Sequence, residues 1–209
     1  MIKIVVVTDV FSTNSYFYID EKTHSGFLID PGAEGERLVS IIQKNSWNIE
    51  KILLTHGHFD HMGGISEIKK FINIPIMSYK NSDMYLLNPK MNLSIYCHRN
   101  ITVKNSEHFV DGDRLFLNSN KDFFLDVIYT PGHTKDSCVF YNKNDGIAFV
   151  GDTIFKGSIG NTGYPGGDLL EIKDSILNKI FKLPKNTILY SGHSPQTTIN
   201  DEFNNVYLY

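Results

Sequence analysis

The stretch Thr55-His56-Gly57-His58-Phe59-Asp60-His61 places three imidazoles and a carboxylate within seven residues, directly after the apolar run Ile52-Leu53-Leu54. That density of nitrogen and oxygen donors reads as a metal site. His56 and His58 stand two apart, so on an extended or turning backbone their rings can point the same way. Asp60 and His61 follow where Gly63 and Gly64 bend the chain toward a helix. Four donors at one strand end exceed the needs of one ion that keeps a position open for water. The stretch therefore predicts half of a two-metal centre, and the rest of the chain must supply the other half.

Three later places set a ligand-capable residue beside glycine after an apolar strand: Pro131-Gly132-His133-Thr134, Gly151-Asp152-Thr153 and Ser191-Gly192-His193-Ser194. Strands that end on a common sheet edge bring such side chains together although they lie far apart in sequence. With the first cluster they give five histidines and two aspartates. That set fills two sites of three terminal ligands each, with one carboxylate left to bridge. All donors are nitrogen or oxygen, so two divalent ions are expected, zinc first, with iron and manganese compatible. His24, His98 and His108 lie outside any motif and are expected at the surface or in the core. Thr55, Thr134 and Thr153 flank ligands and are expected to satisfy backbone groups.

Around these motifs the chain reads as strands and helices in alternation. Ile2 to Val7 and Tyr16 to Ile19 predict two antiparallel strands joined by the turn-rich Phe11-Ser12-Thr13-Asn14-Ser15. Gly26 to Asp30 predicts a third, ending in a carboxylate before Pro31-Gly32. Glu36 to Lys44 predicts a helix, Ile49 to Leu54 a strand, and Ile65, Ile68 and Phe71 a second helix; a short strand follows at Ile74 to Met77. From Tyr79 to Asn105 the pattern blurs into a helix plus a long loop. Strands are expected at Asp113 to Leu117, Phe123 to Tyr129, Cys138 to Tyr141 and Gly146 to Val150. The glycine-rich Gly157 to Gly167 is expected as a loop at the site's mouth. Asp168 with Glu171 opens a helix whose stripe Leu169, Ile172, Ile176, Ile180 and Leu183 runs to Pro184, and Thr187 to Tyr190 is the last strand. The pattern predicts two facing sheets covered outside by helices, in one domain over 1–209.

Composition narrows the function classes. A net charge of -3, with lysine and arginine scattered, argues against nucleic acid as a partner. No run approaches the ~20 apolar residues of a membrane span. The start, Met-Ile-Lys-Ile-Val-Val-Val, lacks a signal-peptide pattern, so a cytoplasmic protein is expected. Cys97 and Cys138 make no metal-spaced pair and are expected as reduced thiols.

The ordered set Thr55 to His61, His133, Asp152 and His193 resembles the metallo-β-lactamase fold superfamily. Gly192-His193-Ser194-Pro195-Gln196-Thr197-Thr198-Ile199 and Phe155-Lys156-Gly157-Ser158-Ile159-Gly160 resemble its glyoxalase II-like, or hydroxyacylglutathione hydrolase-like, branch. The resemblance implies an α/β fold, the four-layer αββα sandwich. It implies that His56, His58 and His133 hold one metal, that Asp60, His61 and His193 hold the other, and that Asp152 bridges them. Asp30 is implied as an acceptor that orients a ligand histidine; Asn161 and Tyr164, in the glycine-rich loop, are expected either to touch substrate or to pack the loop. It further implies hydrolysis of 2-hydroxyacyl thioesters by a hydroxide positioned between the metals, with Asp60 and Asp152 as catalytic carboxylates. Lactone or ester hydrolysis uses the same centre, and an iron-dependent persulfide dioxygenase shares the fold. Small members of the branch carry Gly-Arg-Thr-Asp where this chain has Gly160-Asn161-Thr162-Gly163. Larger members add a helical glutathione-binding domain beyond the point where this sequence closes, at Tyr209. Both departures imply a small-molecule substrate recognised by its acyl part more than by its thiol.

Overall fold

The computed structural model describes residues 1–204; the last residues of the expected 1–209 unit lie outside them. The chain opens with β1 (Ile2–Thr8), β2 (Ser12–Asp20) and β3 (Ser25–Ile29), then α1 (Gly35–Lys44) and β4 (Asn48–Leu53). The ligand-rich stretch follows and enters α2 (Phe59–Met62), with α3 (Ile65–Ile68) and β5 (Ile76–Tyr79) behind it. Next come α4 (Asp83–Leu86), a 3-10 turn at Ser94–Cys97 and β6 (Glu107–Phe109). The second half holds β7 (Arg114–Phe116), β8 (Phe124–Tyr129), β9 (Cys138–Asn142) and β10 (Ile147–Gly151), then the small hairpin β11 (Ile154–Phe155) and β12 (Ser158–Ile159). It closes with α5 (Leu169–Asn178), β13 (Ile188–Ser191), β14 (Thr197–Thr198) and α6 (Ile199–Glu202).

Among the described residues, β1 to β6 form one sheet in sequence order and β7-β8-β9-β10-β13-β14 form the other. The period-2 alternation of strands decides what each face covers. On β2, Phe17 and Ile19 join Leu38, Val39 and Ile42 of α1 and Ile65 and Ile68 of α3, whereas Tyr16 and Tyr18 face the second sheet. On β10, Phe149 meets Tyr16 and Tyr18 between the sheets, while Ala148 and Val150 pack on Ile172 and Ile176 of α5. Two sheets face to face with helices on both outer faces make the expected αββα order. Asp168 caps α5 by accepting from the Leu170 and Glu171 amides, as its position before the apolar stripe predicts.

Strand direction is what builds a site. β3 and β4 are parallel, and β8, β10 and β13 share one direction, because β8 and β10 are each antiparallel to β9 and β10 is parallel to β13. Their C-terminal ends meet at a single edge, to which β2, antiparallel to β3, brings its N-terminal end. The Cys138 amide donates to the Thr55 carbonyl at 2.9 Å and ties the two sheets together there.

Two expectations are corrected. Ser12 to Ser15 are not a turn but the start of β2, paired from Thr8↔Ser12, because their polar groups bond to the site edge instead of to solvent: the Ser15 hydroxyl donates to the Asp30 carbonyl at 2.6 Å. Phe71 is exposed, not packed, because the chain tightens after Ile68 into i→i+3 hydrogen bonds that rotate it off the apolar face. The region Tyr79 to Asn105 keeps the expected helix and long loop, as the short α4 and a loop with one 3-10 turn, strapped by a buried Asn92. Among the described residues no helix is long and apolar enough to cross a membrane.

Candidate metal centre

Each of the seven singled-out donors sits just past a strand of the shared edge. His56 and His58 follow β4, Asp60 and His61 ride on α2, His133 follows β8, Asp152 follows β10 and His193 follows β13. They assemble into overlapping triads whose donor atoms lie within 4.8 Å of one another: His56, His58 and His133; His56, His61 and Asp152; and Asp60, His61 and His193. Neither His24, His98 nor His108 belongs to these groups.

The outer nitrogens show which way the rings are held. His133 Nδ1 donates to the Asn161 carbonyl at 2.7 Å, His193 Nδ1 to the Ser12 carbonyl at 2.8 Å, and His61 Nδ1 to Asp30 Oδ2 at 3.0 Å. Thr55 Oγ1 donates to Asp30 Oδ2 at 2.6 Å, which leaves it to accept from His56 Nδ1 at 3.1 Å. These bonds make each outer nitrogen a donor and turn the four Nε2 atoms inward, as lone pairs on the neutral His56 and His133. Asp30 is thus both the end of its strand and the acceptor behind two histidines. Its second oxygen takes the Thr55 amide at 2.8 Å.

Whether cations fit can be decided from the inward atoms. His58 Nδ1 lies 3.2 Å from His56 Nε2 and 2.9 Å from His133 Nε2. His56 and His133 commit their outer protons to Thr55 and Asn161, whereas the outer Nε2 of His58 is buried without a partner, so at most one proton, on His58 Nδ1, can lie among the three inward nitrogens. Asp152 Oδ1 is buried without an aligned hydrogen bond. Three neutral imidazoles around one point and an unsatisfied carboxylate beside it match a divalent cation. Gly192 leaves room for this: a Cβ there would stand 2.3 Å from Asp152 Oδ1 and 2.6 Å from His61 Cε1. Gly151, at φ 49, turns the end of β10 where a side chain would strike Thr55.

The two halves differ in protonation. Burial holds His56 well below its ordinary pKa, with His61 and His58 adding to the effect, holds His58 down to about 3, and lowers His133 despite the nearby Asp152. Burial also opposes charge on His61 and His193, but Asp152 and Asp60 outweigh it, raising His61 and bringing His193 to about 10. Burial resists charge on Asp60 and Asp152 as well; His61 and His193 overcome it and hold both carboxyls below the usual range. His193 Nε2 stands 3.1 Å from Asp60 Oδ2 and 3.4 Å from Asp152 Oδ2. Without cations, the triad of His56, His58 and His133 is neutral and that of Asp60, His61 and His193 is a set of ion pairs held by protons.

The centre opens into a cavity of about 220 Å³ bordered by His58, Asp60, His133, Asp152, His193 and the loop residues Asn161 and Tyr164. The Asn161 side chain accepts from the Gly163 amide and shapes the loop, so this residue acts on the site through its carbonyl. The Tyr164 ring lies 5.9 Å from that of His58. Sequence reading missed the first residues of β2: Thr13 Oγ1 donates to Asp60 Oδ2 at 3.3 Å, and Asn14 Nδ2 binds the carbonyls of Ser191 and Ser194, holding the turn that carries His193. It missed Asn92 too, whose carbonyl accepts from the Phe59 amide at 3.0 Å. Polar residues in an apparent turn were the one signal for the first; nothing marked the second.

Comparison with known proteins places this geometry. Residues 8–193 match the Metallo-beta-lactamase superfamily. A probable metallo-hydrolase, YqgX of Bacillus subtilis, is 34% identical over 90% of this chain and 88% of its own. The hydroxyacylglutathione hydrolase GloC of Haemophilus influenzae is 33% identical over 96% and 94%. The crystal structure of the BLEG-1 B3 metallo-beta-lactamase superposes with a TM-score of 0.91 at 33% identity, covering 100% of this chain and 99% of that one.

Two predictions come from these environments. Because protons hold His61 and His193 against Asp60 and Asp152, and the two Nε2 atoms stand 3.2 Å apart, zinc added to metal-free protein at pH 7.5 should release at least one proton with the second equivalent. Acidification should strip that equivalent first; proton release near zero in weakly buffered solution would contradict the assignment. Asp136, fully buried behind Gly57 with the Ser82 and Thr134 hydroxyls beside it, is pushed up to about 6, chiefly by burial. A carboxyl raised above its unfolded 3.8 is harmless below that pH and costs stability as pH rises through 6. The rise corresponds to about 3 kcal/mol. Asp136→Asn should therefore be more stable at pH 7 by up to that amount and equal to the parent below about pH 4, checked by denaturant melts at both pH values.

Proposed function

The chain belongs to the metallo-beta-lactamase superfamily, and from that premise we propose that it is a two-metal thioester hydrolase acting on 2-hydroxyacyl thioesters, with a small-molecule acyl substrate as its partner. The coarse activity, metallo-hydrolase, accords with both curated relatives. The observation that carries the finer reading is the likeness to GloC, which extends along 96% of the chain, together with three overlapping triads around one cavity.

When bound, two divalent cations lower the pKa of water and polarise a carbonyl, which makes hydroxide available near neutral pH. The chain's own residues do the rest. His56, His58, Asp60, His61, His133, Asp152 and His193 would hold the ions, with Asp152 lying 3.5 Å from His133 and 3.4 Å from His193. Asp60 and Asp152 stay ionised at the cavity and accept hydrogen bonds from an attacking water. Thr13 fixes the Asp60 carboxylate, and Asp30 fixes His61 directly and His56 through Thr55. The buried imidazole cluster limits access to the cavity side. Zinc is the favoured ion; iron and manganese suit the same donors.

A second reading, opening of a lactone or β-lactam ring, draws on the BLEG-1 likeness. One experiment separates the two. Protein purified without chelator should carry two transition-metal ions per chain and turn over lactoyl thioesters faster than homoserine lactones or a chromogenic cephalosporin. Asp152→Ala should lose about 10²-fold or more in kcat, the scale of removing one electrostatic stabiliser, with the circular dichroism spectrum unchanged. Faster ring opening than thioester cleavage moves the assignment to the second reading. A single iron with oxygen consumption on a persulfide overturns both.

A further inference from the structure

Beyond the cavity, the site continues into a groove of about 340 Å³ lined by Phe11, Phe59, Leu93, Tyr96, Tyr164 and Pro165. Phe11, Phe59, Leu93 and Tyr164 border the cavity as well, so groove and cavity are one continuous space. We propose that this groove is an acyl subsite, and that the preferred substrates carry a large apolar or aromatic substituent on the acyl carbon chain. The proposal rests on the hydrolase reading above.

Three observations support it. Large apolar side chains are left in water around the groove: Tyr96 is 68% exposed, Phe11 50% and Tyr164 42%. An apolar rim concentrated beside a polar reaction site marks a place where a ligand completes the burial. Next, the groove itself carries no charged side chain. Among the described residues no lysine or arginine lines either cavity or groove, and the cavity's own carboxylates are Asp60 and Asp152. A polar, multiply charged carrier thiol finds no pairing group in the groove, which leaves the acyl end to fill it. Finally, the wall is held in place under strain. Leu93 sits at φ 71 and His98 at φ 55, left-handed positions that an L side chain resists. They bracket the 3-10 turn that carries Tyr96. Asn92 clamps this wall: its side chain donates to the carbonyls of Tyr85 and Ile101 and accepts the Ser94 amide, while its carbonyl takes the Phe59 amide between two of the candidate ligands.

The test holds the thiol constant and varies the acyl group from glycoloyl to lactoyl to 3-phenyllactoyl. kcat/KM should rise at least about tenfold across the series, the scale of an added apolar contact in a pocket. At fixed acyl group, glutathione and a small uncharged thiol should differ by less than about threefold. Leu93→Ala and the solvent-facing Tyr96→Ser should each flatten the acyl preference at least fivefold, while Phe71→Ala, remote and exposed, leaves the slope intact. Binding of the product acids gives a readout independent of turnover: 3-phenyllactate should bind the metal-loaded protein more tightly than glycolate, and less so in either groove variant. Thioester cleavage with a flat acyl series, or an apolar preference that follows the thiol, overturns the subsite and leaves the thioesterase reading standing. Ring-opened lactones or esters that show the same acyl slope, with thioesters inert, support the subsite and overturn the thioesterase reading.

Discussion

The Asp30 carboxylate is the contact on which the site depends. It is buried at the end of β3, in a left-handed backbone position, and accepts from the Thr55 amide, the Thr55 hydroxyl and His61 Nδ1. Through Thr55 it also fixes His56. One side chain therefore orients His56 and His61, which between them belong to all three triads, and pins the end of β4 to the end of β3. A buried carboxylate with this many donors is stable only while all are present, so the fold of the edge and the aim of the ligands are the same set of hydrogen bonds.

The protonation pattern has a structural origin in the same edge. His56, His58 and His133 stand where the two sheets close over them, and burial keeps them neutral. His61 and His193 face Asp60 and Asp152, and those charges outweigh burial. Equal chemistry at the level of residue type thus becomes two unlike halves, one ready to accept a cation and one that exchanges protons for it. The carboxylates serve both conditions, as partners of protons or of metal.

Substrate recognition is assigned to parts of the chain that look least ordered in sequence. The β1–β2 turn supplies Phe11, the segment after α4 supplies Leu93 and Tyr96, and the loop before α5 supplies Tyr164 and Pro165. Each has little regular structure and is fastened instead by side-chain-to-backbone bonds, of which the Asn92 set is the densest. A rigid double sheet carrying the chemistry and irregular walls carrying the selectivity is a division of labour that lets one change without the other.

Much of this was legible in the sequence, for a reason rooted in strand geometry. Apolar runs of period two, broken by Gly-His, Gly-Asp or His-X-His, mark strand ends with donors attached, and Asp168 with its stripe marks α5. The αββα order and the candidate ligands follow from such local signals. Other features depended on distances no local pattern encodes. Ser12 to Ser15 read as a turn because they are polar, yet they lie in β2, where those polar groups meet Asp30, Asp60 and the His193 turn. The Tyr79 to Asn105 segment had no periodicity to read, since its shape comes from Asn92 reaching backbone groups seven and nine residues away in the chain. The sequence by itself determined which residues could bind metal. Tertiary structure alone decided which nitrogens face inward, which histidines stay neutral and where an apolar groove opens, because each is a matter of burial and convergence between segments remote along the chain.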